Sequence, residues 1–201
     1  MAKRYGMVID LNRCIGCDAC TIACRQIKGT TKGILYAKII KYEIGKYPDA
    51  RLGFLPLLCM HCSKPPCAEV CPEEAIVKCD DGIVITDPKK CIGCRSCVIA
   101  CPYGALDSFK AKQTYFKGTR TVFEVVHEKD RLPGKVEKCD LCMDRLMEGK
   151  EPACVAACPG DARIIGDLND KEGKLNKLIL EREGLQLNAD LGTDPSVYYV
   201  S

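Results

Sequence analysis

Tryptophan is absent from this chain, histidine occurs twice, and aromatic residues make up only 6%. Long apolar runs are missing too. The longest, Phe54 to Met60, falls far short of the ~20 residues that span a bilayer, which excludes an integral membrane protein. The start, Met1-Ala2-Lys3-Arg4-Tyr5-Gly6, has no apolar core of a leader, so no secretory signal is expected. Neither sign of charge dominates. A net charge of +3 with 28% charged residues offers no basic stripe, so nucleic acid is not the expected partner. There is no G-x-G-x-x-G after a strand and no Walker loop, and no acid–base constellation for organic chemistry stands out.

What the chain has is cysteine: 17 of 201 residues, about 8%. Sixteen fall into four quartets. Cys14, Cys17, Cys20 and Cys24 are spaced C-x2-C-x2-C-x3-C, and Cys91, Cys94, Cys97 and Cys101 repeat that spacing. Cys59, Cys62, Cys67 and Cys71 are spaced C-x2-C-x4-C-x3-C; Cys139, Cys142, Cys154 and Cys158 are spaced C-x2-C-x11-C-x3-C. Pro72, Pro102 and Pro159 follow the last cysteine of three quartets, whereas Arg25 follows Cys24. A [4Fe–4S] cube needs one thiolate per iron at four tetrahedral corners. Cysteines every third residue wrap three corners, and the fourth, three residues on, leaves the loop for a neighbouring cube, as in two-cluster bacterial ferredoxins. Zinc ribbons also use C-x2-C pairs, but as two pairs about 15–20 residues apart, without a third cysteine so close or a terminal Cys-Pro. A secreted disulfide scaffold fits neither the missing leader nor the odd count. The leftover Cys79 follows a strand-like run, and the reading as a small half-buried residue outweighs that as a spare ligand, because every quartet is complete without it.

The x3 rule predicts which cysteines share a cube. Quartets two and three are sequence neighbours and exchange their last members. This gives Cys59, Cys62, Cys67 with Cys101, and Cys91, Cys94, Cys97 with Cys71. Quartets one and four then pair across the inserted unit. This gives Cys14, Cys17, Cys20 with Cys158, and Cys139, Cys142, Cys154 with Cys24. Four [4Fe–4S] clusters are the expected cofactors, and all sixteen cysteines their metal ligands.

The quartets lie in an internal repeat. Gly6-Met7-Val8-Ile9-Asp10 and Gly82-Ile83-Val84-Ile85-Thr86 each read as a strand running into a cluster loop, and Ala75-Ile76-Val77 and Ala162-Arg163-Ile164-Ile165 as return strands. The expected fold class is α+β: two interlocked ferredoxin-like units of short strands, short helices and long loops. Residues 1–54 with 125–170 form a discontinuous unit, 55–124 an inserted unit, and 171–201 a helix and extended tail. Glycines 16 and 93 are expected to let the backbone approach the clusters. Lys38 to Glu43 alternates like a strand, and Thr114-Tyr115-Phe116 and Thr121 to Val126 flank Lys117-Gly118-Thr119-Arg120 as a hairpin. That hairpin reads equally as a partner contact or as a surface elaboration. Leu175, Leu178 and Ile179 make one face of a helix stopped by Gly184 and packed on the chain's own body; Val197-Tyr198-Tyr199-Val200 is extended. His61 stands inside the second cluster loop, where a hydrogen bond or its charge would adjust a potential, and His127 reads as a surface residue. With sixteen thiolates and four oxidised cubes the loaded chain carries about −5, and Lys64, Lys90, Arg95 and Lys138 stand beside ligand cysteines to offset that charge.

The order of the quartets resembles the four-cluster iron–sulfur (beta) subunits of the dimethyl sulfoxide reductase family of molybdopterin oxidoreductases. The likeness is nearest to the small subunits of polysulfide, thiosulfate and arsenate respiratory reductases. It extends to Met7-Val8-Ile9-Asp10, Gly45-Lys46-Tyr47-Pro48, Cys59-Met60-His61-Cys62 with Pro65-Pro66-Cys67, Asp87-Pro88-Lys89-Lys90-Cys91 and Gly192-Thr193-Asp194-Pro195. The 37 residues between Cys101 and Cys139 are longer than in compact members. The resemblance implies a non-catalytic subunit. It would relay single electrons between a molybdenum or tungsten bis-pterin catalytic subunit and a membrane quinone subunit or soluble carrier. The electron path would run from the first quartet's cube to the fourth's, the second's and the third's. A free-standing polyferredoxin carrier is the alternative, and the hairpin and amphipathic tail, unneeded in a simple carrier, weigh against it. So many thiolates must be loaded where cysteine stays reduced, so assembly is expected in the cytoplasm. Action follows there or, after folded export with a partner bearing a twin-arginine signal, in the periplasm.

Overall fold

A computed structural model describes residues 3–109, 114–127 and 131–201. In chain order the elements are β1 (Tyr5–Asp10), α1 (Ala19–Lys28), β2 (Lys38–Ile44), β3 (Arg51–Leu57), α2 (Pro66–Glu69), β4 (Ile76–Lys78), β5 (Val84–Thr86) and α3 (Ser96–Ala100). They continue with β6 (Leu106–Ser108), α4 (Val122–His127), β7 (Val136–Lys138), α5 (Met143–Met147), α6 (Ala153–Ala156), β8 (Arg163–Asp167), α7 (Lys174–Glu181) and β9 (Val197–Val200).

β1 is the centre of a three-stranded sheet, antiparallel to β8 and parallel to β9. Its run of apolar residues follows from burial on both faces. Met7 and Ile9 join a core that includes Cys20, Cys59, Cys62, Cys139 and Cys154, while Val8 packs on the other side with Val200 and Leu175 of α7. The tail thus folds back onto the body as the spacing of Leu175, Leu178 and Ile179 implies, and Arg182 pairs with the buried Asp10 to hold it there. β2 and β3 form a two-stranded hairpin, β4 pairs with β5, and β6 with β7. β6 and β7, which pair, fall on opposite sides of the boundary expected at residue 124.

The hairpin expected over residues 114–126 is not there. Only the bridge Phe116–Thr119 remains, and Thr121 to Val126 contributes the start of α4 instead of a strand. A capping box overrides the β-branched residues. Thr121 Oγ1 accepts from the Glu124 amide at 3.2 Å, and the Glu124 carboxylate accepts from the Thr121 amide at 2.7 Å, the Thr121 hydroxyl at 2.8 Å and the Tyr115 amide at 2.7 Å. Glu124 is 2% exposed, so its carboxylate organises the segment from inside. Tyr115 donates to Thr30 O at 3.1 Å, and a Cβ on Gly29 would meet His127 at 2.3 Å. His127 is therefore packed on the end of α1 rather than free on the surface. Residues 110–113 and 128–130 of this insertion lie outside the described residues. Glu124→Ala leaves three donors without their acceptor and is expected to destabilise this segment by about 2–4 kcal/mol. Hydrogen exchange should then rise over 114–127 with iron content unchanged; unaltered protection there would contradict the role given to this carboxylate.

Candidate metal centres

Each quartet places its third and fourth cysteines four residues apart on or just beyond a helix: Cys20 and Cys24 on α1, Cys67 and Cys71 at α2, Cys97 and Cys101 at α3, Cys154 and Cys158 at α6. Residues i and i+4 share a helix face and stand ~6 Å apart along its axis, so one helix serves two sites. α1 packs on α6, and α2 on α3. Three helices stop at or before the fourth cysteine, because the proline that follows biases it away from helical angles; Cys101, for example, sits at φ −80°, ψ 112°. Arg25 imposes no such stop. α1 continues to Lys28, whose ammonium pairs with Asp140 at 2.6 Å and whose carbonyl accepts from Arg131 at 2.6 Å. The departure in the first quartet thus gives α1 the extra turn that reaches the fourth quartet's loop.

Among the described residues no three His, Cys, Asp or Glu side chains converge tightly enough to hold a single metal ion. The cysteines line cavities instead. Cys14, Cys17, Cys20 and Cys158 line one, Cys59, Cys62, Cys67 and Cys101 a second, and Cys71, Cys91, Cys94 and Cys97 a third. The three are alike in size. The remaining four thiols are also neighbours. Cys24 lies in the field of Cys154 and Cys142, and Cys139 in that of Cys59, Cys154 and Cys24. Cys79 lies among Asp81, Asp80 and Lys138, with no quartet cysteine acting on it.

Burial pushes eight of the sixteen quartet thiols up, away from the thiolate form. It pushes Cys24 up to about 12, helped by Cys154 and Cys142, and Cys67 to about 12, helped by Cys59. Cys62 rises to about 11, against the pull of a Thr193 hydrogen bond, and Cys139 and Cys154 rise by burial as well. Keeping such groups as thiolates requires compensating positive charge in the cavity, which iron supplies. The sulfurs also meet donors. The Ala75 amide reaches Cys71 Sγ at 3.2 Å, the Ala162 amide Cys158 Sγ at 3.3 Å, and the Leu141 amide Cys139 Sγ at 3.3 Å. The first two come from the same C-P-x-x-A segment. Donors set this way stabilise charged sulfur. On donor type, number and surroundings, the residues fit iron–sulfur cubes.

The supporting residues divide into those the sequence exposes and those it hides. Of the four cations beside ligand cysteines, Lys64, Lys90 and Arg95 are exposed, and only Lys138 is buried. Its ammonium donates to Cys139 O at 2.6 Å and to Val84 O, and its charge acts on Cys67 and Cys139. His61 is 1% exposed and accepts at Nδ1 from the Val84 amide at 3.0 Å. Burial and the nearby Lys138 hold it well below the usual histidine range. Gly16 and Gly93 are also required by their protein neighbours. At φ +68° and +78° they adopt left-handed backbone, and a Cβ would strike the Phe54 ring at 2.3 Å in one case and Gly134 O at 2.7 Å in the other. Phe54, on β3, thereby seats the β2–β3 hairpin over the first cysteine loop. Arg163, 3% exposed and lining the first cavity, carried no signal beyond being a charge in an apolar strand.

The family described as a 4Fe-4S dicluster domain matches residues 50–125 and 122–168, and a 4Fe-4S binding domain matches residues 11–30. The chain is 36% identical to the arsenate respiratory reductase iron-sulfur subunit ArrB of Shewanella sp. strain ANA-3, over 98% of this chain and 96% of that one. It is 41% identical to a selenate reductase subunit of Mesobacillus selenatarsenatis, over 97% and 71%. With a polysulfide reductase chain of Wolinella succinogenes the identity is 37%, over 100% and 95%. With 4Fe–4S domains along its length and relatives of this kind across it, the protein belongs to the iron–sulfur subunits of the dimethyl sulfoxide reductase family of molybdopterin oxidoreductases.

Proposed function

We propose that this chain relays single electrons through four [4Fe–4S] clusters between a molybdenum or tungsten bis-pterin catalytic subunit and a membrane quinone subunit or soluble carrier. The observation that carries the reading is the make-up of the cavities. Three of them are each lined by three cysteines of one quartet and the last cysteine of another. The thiols surround spaces rather than converge on a point, as ligands of a cube do and ligands of a single ion do not.

Cys14, Cys17, Cys20 and Cys158 would hold the first cube, and Cys139, Cys142, Cys154 and Cys24 the second. Cys59, Cys62, Cys67 and Cys101 would hold the third, and Cys91, Cys94, Cys97 and Cys71 the fourth. When bound, each supplies a one-electron store. The protein's part is spacing and environment. α1 and α6 would join the first and second sites, Cys139 beside Cys59 the second and third, and α2 with α3 the third and fourth. Such an order forms a single file. On this reading the chain is one ferredoxin-like unit split by another, and the inserted unit closes at Lys138, because β7 completes its ladder.

Among the described residues no helix is long and apolar enough to cross a membrane. We assign any membrane anchor to a partner. We place assembly in the cytoplasm and action there or, with an exported partner, in the periplasm. Native purification is expected to bring down a large molybdenum- or tungsten-containing chain at equal stoichiometry. The separated, iron-loaded subunit is expected to show reversible one-electron steps and no saturable turnover of polysulfide, arsenate or a similar acceptor. Turnover by the isolated chain, or native recovery as a lone carrier, overturns the proposal.

A further inference from the structure

Arg163 opens β8, paired with Ile9 of the central strand, and so faces the cysteine-rich side of the sheet. It is 3% exposed. One terminal nitrogen, Nη1, approaches Met7 Sδ at 3.9 Å; the other, Nη2, is buried with no hydrogen-bond partner among the described residues. The side chain lines the cavity of Cys14, Cys17, Cys20 and Cys158. It reaches Cys20, and its charge also acts on Cys14 and on Cys154 of the fourth quartet. It also lines a groove with Arg13, Glu151, Asp161 and Lys174. Asp161 is paired with Arg13 at 3.2 Å, and among the described residues no carboxylate forms an ion pair with Arg163. A buried guanidinium with no anionic partner costs several kcal/mol. An arginine in such a place needs negative charge close by, and the nearest sources are the thiolates of two quartets.

We infer that Arg163 is a charge-positioning residue shared by the cubes of quartets one and four, raising the reduction potential of both. A cube with four thiolates carries net negative charge, and reduction adds one more electron to it. A fixed cation favours the more negative state, and inside the protein its field is weakly screened. One side chain standing between two sites lifts both together and keeps the step between them small, which a residue serving one site cannot do. Lys138, buried near Cys67 and Cys139, stands in the corresponding place between quartets two and four.

The inference rests on the ligand assignment proposed above, and the test separates the two: iron content and the number of cube signals test the assignment, the potentials test the arginine. Arg163→Gln and Arg163→Lys are made in the iron-loaded complex and titrated potentiometrically with detection by electron paramagnetic resonance. In the Gln variant the reduction equilibrium of two cubes is expected to fall about tenfold, which is 59 mV for one electron, with the other two unmoved. The Lys variant, which keeps the charge, should stay within about threefold of the native protein, or about 30 mV. Unmoved potentials in a fully loaded Gln variant, or equal shifts in both variants, overturn the inference. If the Gln variant loses iron, the Lys variant decides. Full loading with near-native potentials supports a role for charge, whereas loss of iron there too makes guanidinium shape the requirement and ends the proposal.

Discussion

Cys24→Ser is expected to damage the site of Cys139, Cys142 and Cys154, more than a hundred residues away, and to leave its own loop intact. Cys24 is 6% exposed on the face of α1 that packs against α6, and Cys154 and Cys142 are the thiols whose charge acts on it most. Its sequence neighbours Cys14, Cys17 and Cys20 line a cavity whose fourth cysteine is Cys158. A serine oxygen is a poor substitute for a buried thiolate on iron. Between one and four irons per chain should therefore be lost from about sixteen, and relay through the chain should fall at least about tenfold. Iron and acid-labile sulfide analysis measures the loss, and additivity assigns it. If Cys24 and Cys142 serve one cube, the double variant loses no more iron than the worse single one. Cys24→Ser with Cys17→Ser, on separate cubes, should add. Additive loss with Cys142 and non-additive loss with Cys17 would show that the quartets do not cross.

Lys138→Met should lower the potentials of the cubes assigned to quartets two and four. The lysine is 5% exposed, and its ammonium is held by Cys139 O and Val84 O. Methionine keeps most of the volume and removes the charge. A unit charge acting over about 8 Å at an effective dielectric of about 20 is worth about 2 kcal/mol, or about 90 mV for one electron. The sign is fixed: losing a cation disfavours the more negative, reduced state. Lys90→Met supplies the contrast. Lys90 also adjoins a ligand cysteine but is exposed, where water and salt screen its charge, so its removal should shift potentials by no more than about 20 mV. Potentiometric titration of both variants checks this. Equal shifts would mean that burial does not govern the effect, and an unmoved Lys138→Met would remove the lysine from any electrostatic role.

Much of this was legible in the chain because ligation chemistry constrains spacing. Every quartet opens with a C-x2-C pair and closes with C-x3-C, two of them recur every third residue up to the third cysteine, and in three a proline after the fourth ends the helix there. Quartets, Cys-Pro stops and short flanking strands are therefore written locally. The amphipathic tail helix was legible for a similar reason, since Leu175, Leu178 and Ile179 share a face at helical spacing. Local signals also competed. The β-branched residues of Val122 to Val126 favour a strand, but Thr121 and Glu124 close a capping box, and a buried carboxylate with three donors outweighs a propensity difference of a few tenths of a kcal/mol per residue.

The order and spacing of the cysteine quartets carry the family, and short-range patterns carry most of the strands and helices, because those signals repeat along the chain or act over a few residues. The folded chain settles the rest. It paired β9 in parallel with β1 and β7 with β6, since a strand's pattern says which face is apolar but not which neighbour will cover it. It gave Gly16 its reason, a Phe54 ring delivered by a hairpin 38 residues on. It separated Lys138 from Lys64, Lys90 and Arg95, which look alike in sequence and differ only in burial. It also brought Arg163 to the lining of the Cys14 cavity and its charge to bear on Cys154, with Cys14 149 residues away in sequence. Charge in a protein acts through distance and dielectric, and both are properties of the folded chain.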